Sequence, residues 1–331
     1  MKPVAVVTGG AGFIGSHMVD LLLEEGFAVR VIDNLSGGHK SNLAHLAGHP
    51  DVGTNWLDVR ALEPASPVFR DARYVFHFAG VGDIVPSIER PIDYMDVNVQ
   101  GTVRVLECAR AAGVEKVVYA ASSSCYGLAA TPTTEDHPID PKYPYALSKY
   151  QGEQAAFHWH KVYRLPVNSV CIFNAYGPRV RTTGAYGAVF GVFFRQKLAG
   201  KPYTVVGDGT QTRDFIYVTD VARAFLAAAR APMSGERFNV GAGQPQSVNH
   251  LVELLGGGAV QYVPKRPGEP DCTFADISKI VHALGWKPQV PFDEGVRRMM
   301  ADIDRWQDAP LWDAESIGEA TRTWFRYMAN A

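Results

Sequence analysis

The sequence predicts an α/β fold, a doubly wound parallel sheet followed by a smaller C-terminal lobe. Three observations carry this. Short β-branched runs alternate with helical patterns along the first half. A glycine-punctuated turn joins the first strand to the first helix. A chain of 331 residues is long for one hydrophobic core, and its second half changes character, so two lobes are expected.

The elements follow in order. "VAVVTG" (residues 4–9) is a β-branched run ending in glycine, "SHMVDLLLEEG" has helical periodicity and a glycine stop, and "AVRVID" (28–33) is a second buried strand. Strand, helix and strand within ~30 residues make a βαβ unit. Further strands are expected at "YVFHFAG" (74–80), "KVVYAAS" (116–122) and "PVNSVCIF" (166–173), with helices at "NVQGTVRVLECARAAG" and "YALSKYQGEQAAFHWHKVY". Strands buried on both faces and alternating with helices imply a Rossmann-type sheet. Residues 1–176 are assigned to it. Residues 177–331 carry Gly-, Pro- and Arg-rich loops such as "VVGDGTQTRDFIYV" and "VPKRPGEPD" and are expected to form the smaller, substrate-binding lobe. Within that half, a segment near 214–230, with the helix "VTDVARAFLAAARA", is expected to pack back on the sheet.

The bulk numbers exclude several classes. Hydrophobic residues are 47%, charged residues 20% and net charge −2. That is a globular balance with no basic footprint for nucleic acid. No apolar run reaches the ~18 residues of a membrane span. Cys108, Cys125, Cys171 and Cys272 form no Cys-x-x-Cys pair and have no histidine at zinc spacing. They read as reduced thiols of a cytoplasmic protein. "HWH" places His158 and His160 two apart on a helix, where they do not share a face. No metal is expected.

"TGGAGFIGS" places Gly9, Gly12 and Gly15 between the first strand and the first helix. Glycine tolerates positive φ and lets backbone N–H groups approach a pyrophosphate at the positive helix end. Asp33 then ends the second strand, where a carboxylate bonds adenosine ribose hydroxyls and repels a 2′-phosphate. NAD is therefore expected rather than NADP, with capping of the following loop as the other role open to Asp33. Asp58 and Val59, in "WLDVR", could border the adenine or merely form a loop.

"YALSK" sets Tyr145 and Lys149 at i and i+4, on one helical face. An ammonium beside a phenol favours the phenolate and should lower the pKa of Tyr145 toward a value useful to a general base.

With these motifs the chain resembles the extended short-chain dehydrogenase/reductases. Within them it resembles the nucleoside-diphosphate-sugar 4-epimerases of the UDP-galactose 4-epimerase type. The resemblance covers nearly the whole chain: "TGGAGFIGSH", "VIDNLSGG", "FHFAG", "VNVQGTVRVLE", "SSSCYG", "PYALSKYQGE", "FNAYGPR", "GDGTQTRDFIYV", "RPGEPD" and "ADISKIVHALGWKP". It implies a catalytic hydroxyl four residues before Tyr126, at Ser122, with Tyr145 as base and Lys149 on the nicotinamide ribose. It assigns Phe13, Ile14, Asn34, Phe78, Ala79, Gly80 and Asn98 to the cofactor site as well. For the nucleotide sugar it implies Asn174 near the phosphate, Arg213 and Arg266 on the diphosphate and Asp271 toward the ribose, with Ser87, Ser123, Ser124 and Tyr176 in the pocket. It also implies a homodimer through a four-helix bundle.

The same resemblance separates reactions. Sugar 4,6-dehydratases carry Asp-Glu directly after the catalytic Ser or Thr, and uronate decarboxylases carry a Glu there. Ser123 and Ser124 stand in those places, which points away from both. Cys125 is one residue before Tyr126, not two as in GDP-mannose 3,5-epimerases, and is expected in the core. Thr273 and "YGPRVRTTGAYGAVF" suggest an N-acetylhexosamine or uronate substrate, so hexose, N-acetylhexosamine and uronic acid all stay open.

Overall fold

The computed structural model describes residues 2–182 and 189–328. Seven strands form one parallel sheet: β1 (Val4–Thr8), β2 (Ala28–Ile32), β3 (Val52–Asn55), β4 (Ala72–His77), β5 (Lys116–Ser122), β6 (Val167–Ile172) and β7 (Glu236–Val240). Their order is β7-β6-β5-β4-β1-β2-β3. The winding therefore reverses between β1 and β4, and a crevice opens beyond their carboxyl ends.

Helices cover both faces. α1 (Phe13–Glu24) buries Met18, Val19 and Leu22 on one face, beside α4 (Val218–Arg230), which buries Val221 and Phe225. α2 (Gly101–Ala112) and α3 (Pro144–Tyr163) cover the other, packing Leu106, Ala109 and Ala156 against Val75, Val117, Val167 and Cys171. This double cover is why β5 and β6 are buried at nearly every residue rather than at alternate ones, with the polar Asn168 and Ser169 of β6 buried too. α3 begins at Pro144, whose missing N–H costs nothing in a first turn. α2 stops at Gly113, which holds a left-handed conformation with φ 65°. A π-helical turn, Asp96–Gln100, leads into α2 and buries Asn98.

The lobe is built from short pieces. Tyr203–Val206 pairs with Val260–Val263, Asn174–Tyr176 with Phe215–Tyr217, and Thr212–Arg213 with Gln246–Ser247. Its core is aromatic, with Tyr176, Phe190, Phe194, Phe215, Tyr217, Phe292 and Trp306 in contact. Two segments from this half return to the sheet. α4 lies against α1, and β7 extends the sheet beyond β6.

Candidate active site

At the crevice, a cleft of about 440 Å³ is lined by Gly9, Gly12, Phe13, Ile14 and Gly15 from the first turn, and by Asp33, Asn34, Asp58 and Val59 further out. The turn is tight because it has to be. Gly9 sits at φ +70° with its N–H on the Ile32 carbonyl, and a Cβ on Gly15 would lie 2.1 Å from the Gly9 oxygen. α1 starts with no side-chain cap on Gly12, which leaves the positive helix end for an anion. Gly15→Ala must therefore move backbone rather than a side chain. It is expected to weaken NAD retention by at least about tenfold, roughly 1.4 kcal/mol. The cofactor content of the purified protein reads this out, and a variant that retains its full complement of NAD would contradict the assignment.

Asp33 is buried at the cleft wall. Its Oδ2 accepts from the Ala11 N–H at 3.0 Å and its Oδ1 from the Leu35 N–H at 2.7 Å. Each carboxylate oxygen keeps a lone pair for a ribose hydroxyl. Loop capping and ribose binding are thus compatible roles. Asp58 caps its own turn through the Arg60 N–H and accepts from the Asn34 amide at 2.8 Å. The ion pair with Arg60 holds its carboxyl down to about 2.

Phe78, Ala79, Gly80, Tyr145 and Lys149 line the inner end of this cleft. Lys149 is buried, its ammonium 4.5 Å from the centre of the Tyr119 ring. Burial lowers its pKa to about 8, and Glu153 acts in the opposite direction. Burial pushes the Tyr145 phenol up, against a hydrogen bond to Ser122 that favours the phenolate. The net shift is thus upward rather than the lowering expected from Lys149, because loss of solvation around the ring outweighs the favourable contacts.

Tyr145 also lines a second pocket, of about 280 Å³, with Ser122, Ser123, Ser124, Asn174, Arg213, Glu269 and Thr273. Ser122 is the last residue of β5, so the sheet edge delivers its hydroxyl beside the base. The Ser122 and Ser124 hydroxyls lie 2.8 Å apart. Asn174 Oδ1 accepts from the Thr273 hydroxyl at 2.7 Å. A third cavity, about 220 Å³, continues outward past Asn174, Arg213, Arg266 and Glu269. Asp271 lines a more peripheral hollow with Arg213 and pairs with Lys265.

Three expected site residues are placed elsewhere. Asn98 stands behind the cleft wall. Its Oδ1 accepts from the Val81 N–H at 2.8 Å, and its amide donates to the Val81 carbonyl and Ser148. It shapes the loop after β4 without lining the cleft. Ser87 is fully buried and spends its hydroxyl on the Ile84 carbonyl of its own helical turn, at 2.6 Å. Tyr176 belongs to the aromatic core. Its ring stacks on Phe190 at 4.9 Å, and its hydroxyl donates to the Phe292 carbonyl beside Gly295. A loop position suggested a pocket, and long-range aromatic packing took the side chain instead. Cys125 is buried beside Cys171. The His160 ring meets the Leu165 carbonyl at 2.9 Å. Residues 183–188 of "YGPRVRTTGAYGAVF" lie outside the described residues.

Other participants were not anticipated. Glu269 stands between the two arginines, accepting from Arg213 at 2.9 Å and from Arg266 Nε at 2.8 Å. Its signal was the Arg-x-x-Glu spacing of "RPGE". Ser36, Gly37 and Gly38 line the outer cleft, where a Cβ on Gly38 would meet Ala11 and Asp33. Trp306 and Trp312 close it from the lobe, and nothing local in their sequence announces that. Among the described residues no helix is long and apolar enough to cross a membrane.

The model of the NAD dependent epimerase/dehydratase family matches residues 5–241. The UDP-glucose 4-epimerase of Mycolicibacterium smegmatis is 38% identical over 304 residues, which are 88% of this chain and 96% of the relative. The UDP-N-acetylglucosamine 4-epimerase of Methanobrevibacter ruminantium, solved with UDP-N-acetylmuramic acid, superposes with a TM-score of 0.85 at 31% identity, covering 91% of this chain and 100% of that one. The UDP-glucuronic acid 4-epimerase of Bacillus cereus, solved with UDP-glucuronic acid and NAD, also gives 0.85, at 30% identity, with 91% and 99% covered.

Proposed function

The chain belongs to the NAD dependent epimerase/dehydratase family, its cofactor is NAD, and from that premise we propose that it inverts C4 of a UDP-sugar through a transient 4-keto sugar. One observation carries the reading. Tyr145 stands in the wall shared by the dinucleotide cleft and a pocket edged by three serine hydroxyls. Among the described residues the one carboxylate lining that pocket is Glu269, and Arg213 and Arg266 already engage it. Elimination of water or loss of carbon dioxide needs a free acid at the reacting end, and hydroxyls with ordinary pKa values are poor substitutes near neutral pH.

The residues then divide the work. NAD, held by the Gly9–Gly15 turn and Asp33 with Lys149 at its ribose, would supply a reversible hydride acceptor. Tyr145 removes the proton of the 4-hydroxyl and later returns it. The Ser122 hydroxyl holds the reacting oxygen beside Tyr145. The Lys149 ammonium stabilises negative charge on the phenolate in a site shielded from water. Arg213 and Arg266 offer planar forks to the diphosphate, and Asn174 supplies an amide beside them. The serine pocket gives the keto sugar room to present its other face, so that C4 would be reduced from the opposite side while Tyr145 returns its proton to the C4 oxygen, with no net oxidation.

The test is a panel of UDP-glucose, UDP-N-acetylglucosamine and UDP-glucuronate, with GDP-, CDP- and dTDP-sugars as controls, read by NMR. A UDP-linked 4-epimer formed without added oxidant is expected. A 4-keto-6-deoxy or decarboxylated product would replace this reading with another reaction of the family.

A further inference from the structure

One buried charge near the reacting groups has no part in the mechanism above. Glu153 lies four residues after Lys149 on α3, on the same helical face as Tyr145 and Lys149. It is fully buried. Its Oε1 accepts from the Ser169 hydroxyl at 2.6 Å and from Arg237 Nε at 2.9 Å, and Oε2 accepts from Arg237 as well. Arg237 comes from the edge strand β7, lies over the Tyr126 ring and also reaches the Glu135 carbonyl. The carboxylate is thus pinned from two strands. Lys149 forms no ion pair with it or with any other acid among the described residues, and its ammonium rests on Tyr119.

Two demands on Lys149 conflict. Its ammonium must stay charged out of water, which burial opposes. Its donors must stay open for ribose and phenolate, which a direct salt bridge would prevent. We propose that Glu153 is a positioning residue that resolves this conflict: clamped by Arg237 and Ser169, it favours the charged ammonium from a helical turn away without capturing it. The other titratable groups packed there do not compete. Burial holds His77 neutral, near 3. Burial likewise raises the Tyr119 phenol and the Cys171 thiol. Glu135, only partly buried, spends its carboxylate on the Asn239 N–H at 2.8 Å. Asp83 and Arg181, which line the same cleft, pair with each other, and of the remaining charged side chains, Glu153 and Arg237, Glu153 is the one that acts on Lys149.

The inference rests on Tyr145 and Lys149 being the reacting pair, and its test does not depend on turnover. Lysine labelled with 13C at Cε is introduced into the NAD-loaded enzyme, and the Lys149 signal, assigned by its absence in Lys149→Met, is titrated. Glu153→Gln keeps the shape and the Ser169 contact and is expected to lower the Lys149 midpoint by about one pH unit. Because it strands Arg237, the double variant Glu153→Gln/Arg237→Met serves as a second probe without an unpaired buried charge, and a smaller fall in the same direction is expected, since a cation leaves with the carboxylate. In both, the alkaline limb of the pH–rate profile should move down in step. A midpoint unmoved in the folded variants, with activity merely scaled at every pH, would reduce Glu153 to a structural residue. No epimerase activity in the wild type, alongside a shifted midpoint, would overturn the reaction and leave the electrostatic role standing.

Discussion

Tyr145→Phe is expected to reduce epimerase turnover by about 10³-fold, within the ~10²–10⁴ range of a positioned acid–base group, while the melting temperature and bound NAD stay close to wild type. The substitution removes one oxygen. Its structural cost is the hydrogen bond to Ser122, about 1 kcal/mol, because Ser122 keeps Ser124 as a partner at 2.8 Å. The ring keeps its stacking against Tyr143 and its edge contact with Tyr94. What is lost is the group that can take a proton from the substrate while facing the cofactor cleft. NMR turnover assays paired with thermal melts check both halves. Activity within about tenfold of wild type would assign the base elsewhere. The raised pKa of the Tyr145 phenol is compatible with this role. Burial opposes the phenolate, so its formation depends on nearby positive charge, which ties the function of Tyr145 to that of Lys149.

Much of the fold could be read from the chain because the sheet is covered on both faces. β5 appears as an apolar run over the same residues that the structure pairs, 116–122, and β6 shifts by a residue at each end. β7 was not seen. "ERFNV" has no apolar run, since an edge strand buries fewer of its side chains, and Arg237 within it serves an ion pair with Glu153 rather than the core. The turn glycines, Asp33, Tyr145 and Lys149 were legible because each is fixed by local geometry: a tight turn, a strand end, one helical face. The lobe offered no such rule. Asp271 and Glu269 are both acids close behind Arg266, and only the folded chain puts Glu269 between two guanidinium groups. Tyr145 lies in the first turn of α3 and is read from its spacing to Lys149, whereas Tyr176 closes a three-residue strand with no such spacing. The partners that bury Tyr176, Phe190 and Phe292, come from distant helices and leave no trace in its neighbourhood.

Lys149→Met is expected to abolish most turnover and yet stabilise the cofactor-free fold. At pH 7 the wild-type protein carries an ammonium in a buried site, and its pKa falls from 10.5 to about 8. That shift corresponds to a cost of about 3 kcal/mol. The shift is already net of the contact with Tyr119, and methionine fills a similar volume without charge. A gain of up to about 3 kcal/mol, several degrees in melting temperature, follows. The pH dependence identifies the cause. Between about pH 8 and 10.5 the unfolded chain still holds the proton that the folded one has released, so wild-type stability rises with pH across this window. The advantage of the variant is therefore full below pH 8 and shrinks toward zero as the pH approaches 10.5. Melts of cofactor-free wild type and variant at pH 7 and pH 10 measure this. A variant less stable at pH 7, or an advantage that ignores pH, would mean that the lysine is not held charged against its surroundings. If the two curves converge as expected, part of the stability of this fold is given up to keep one cation where the chemistry needs it, and burial of that cation is the reason a neighbouring carboxylate has to be pinned in reach.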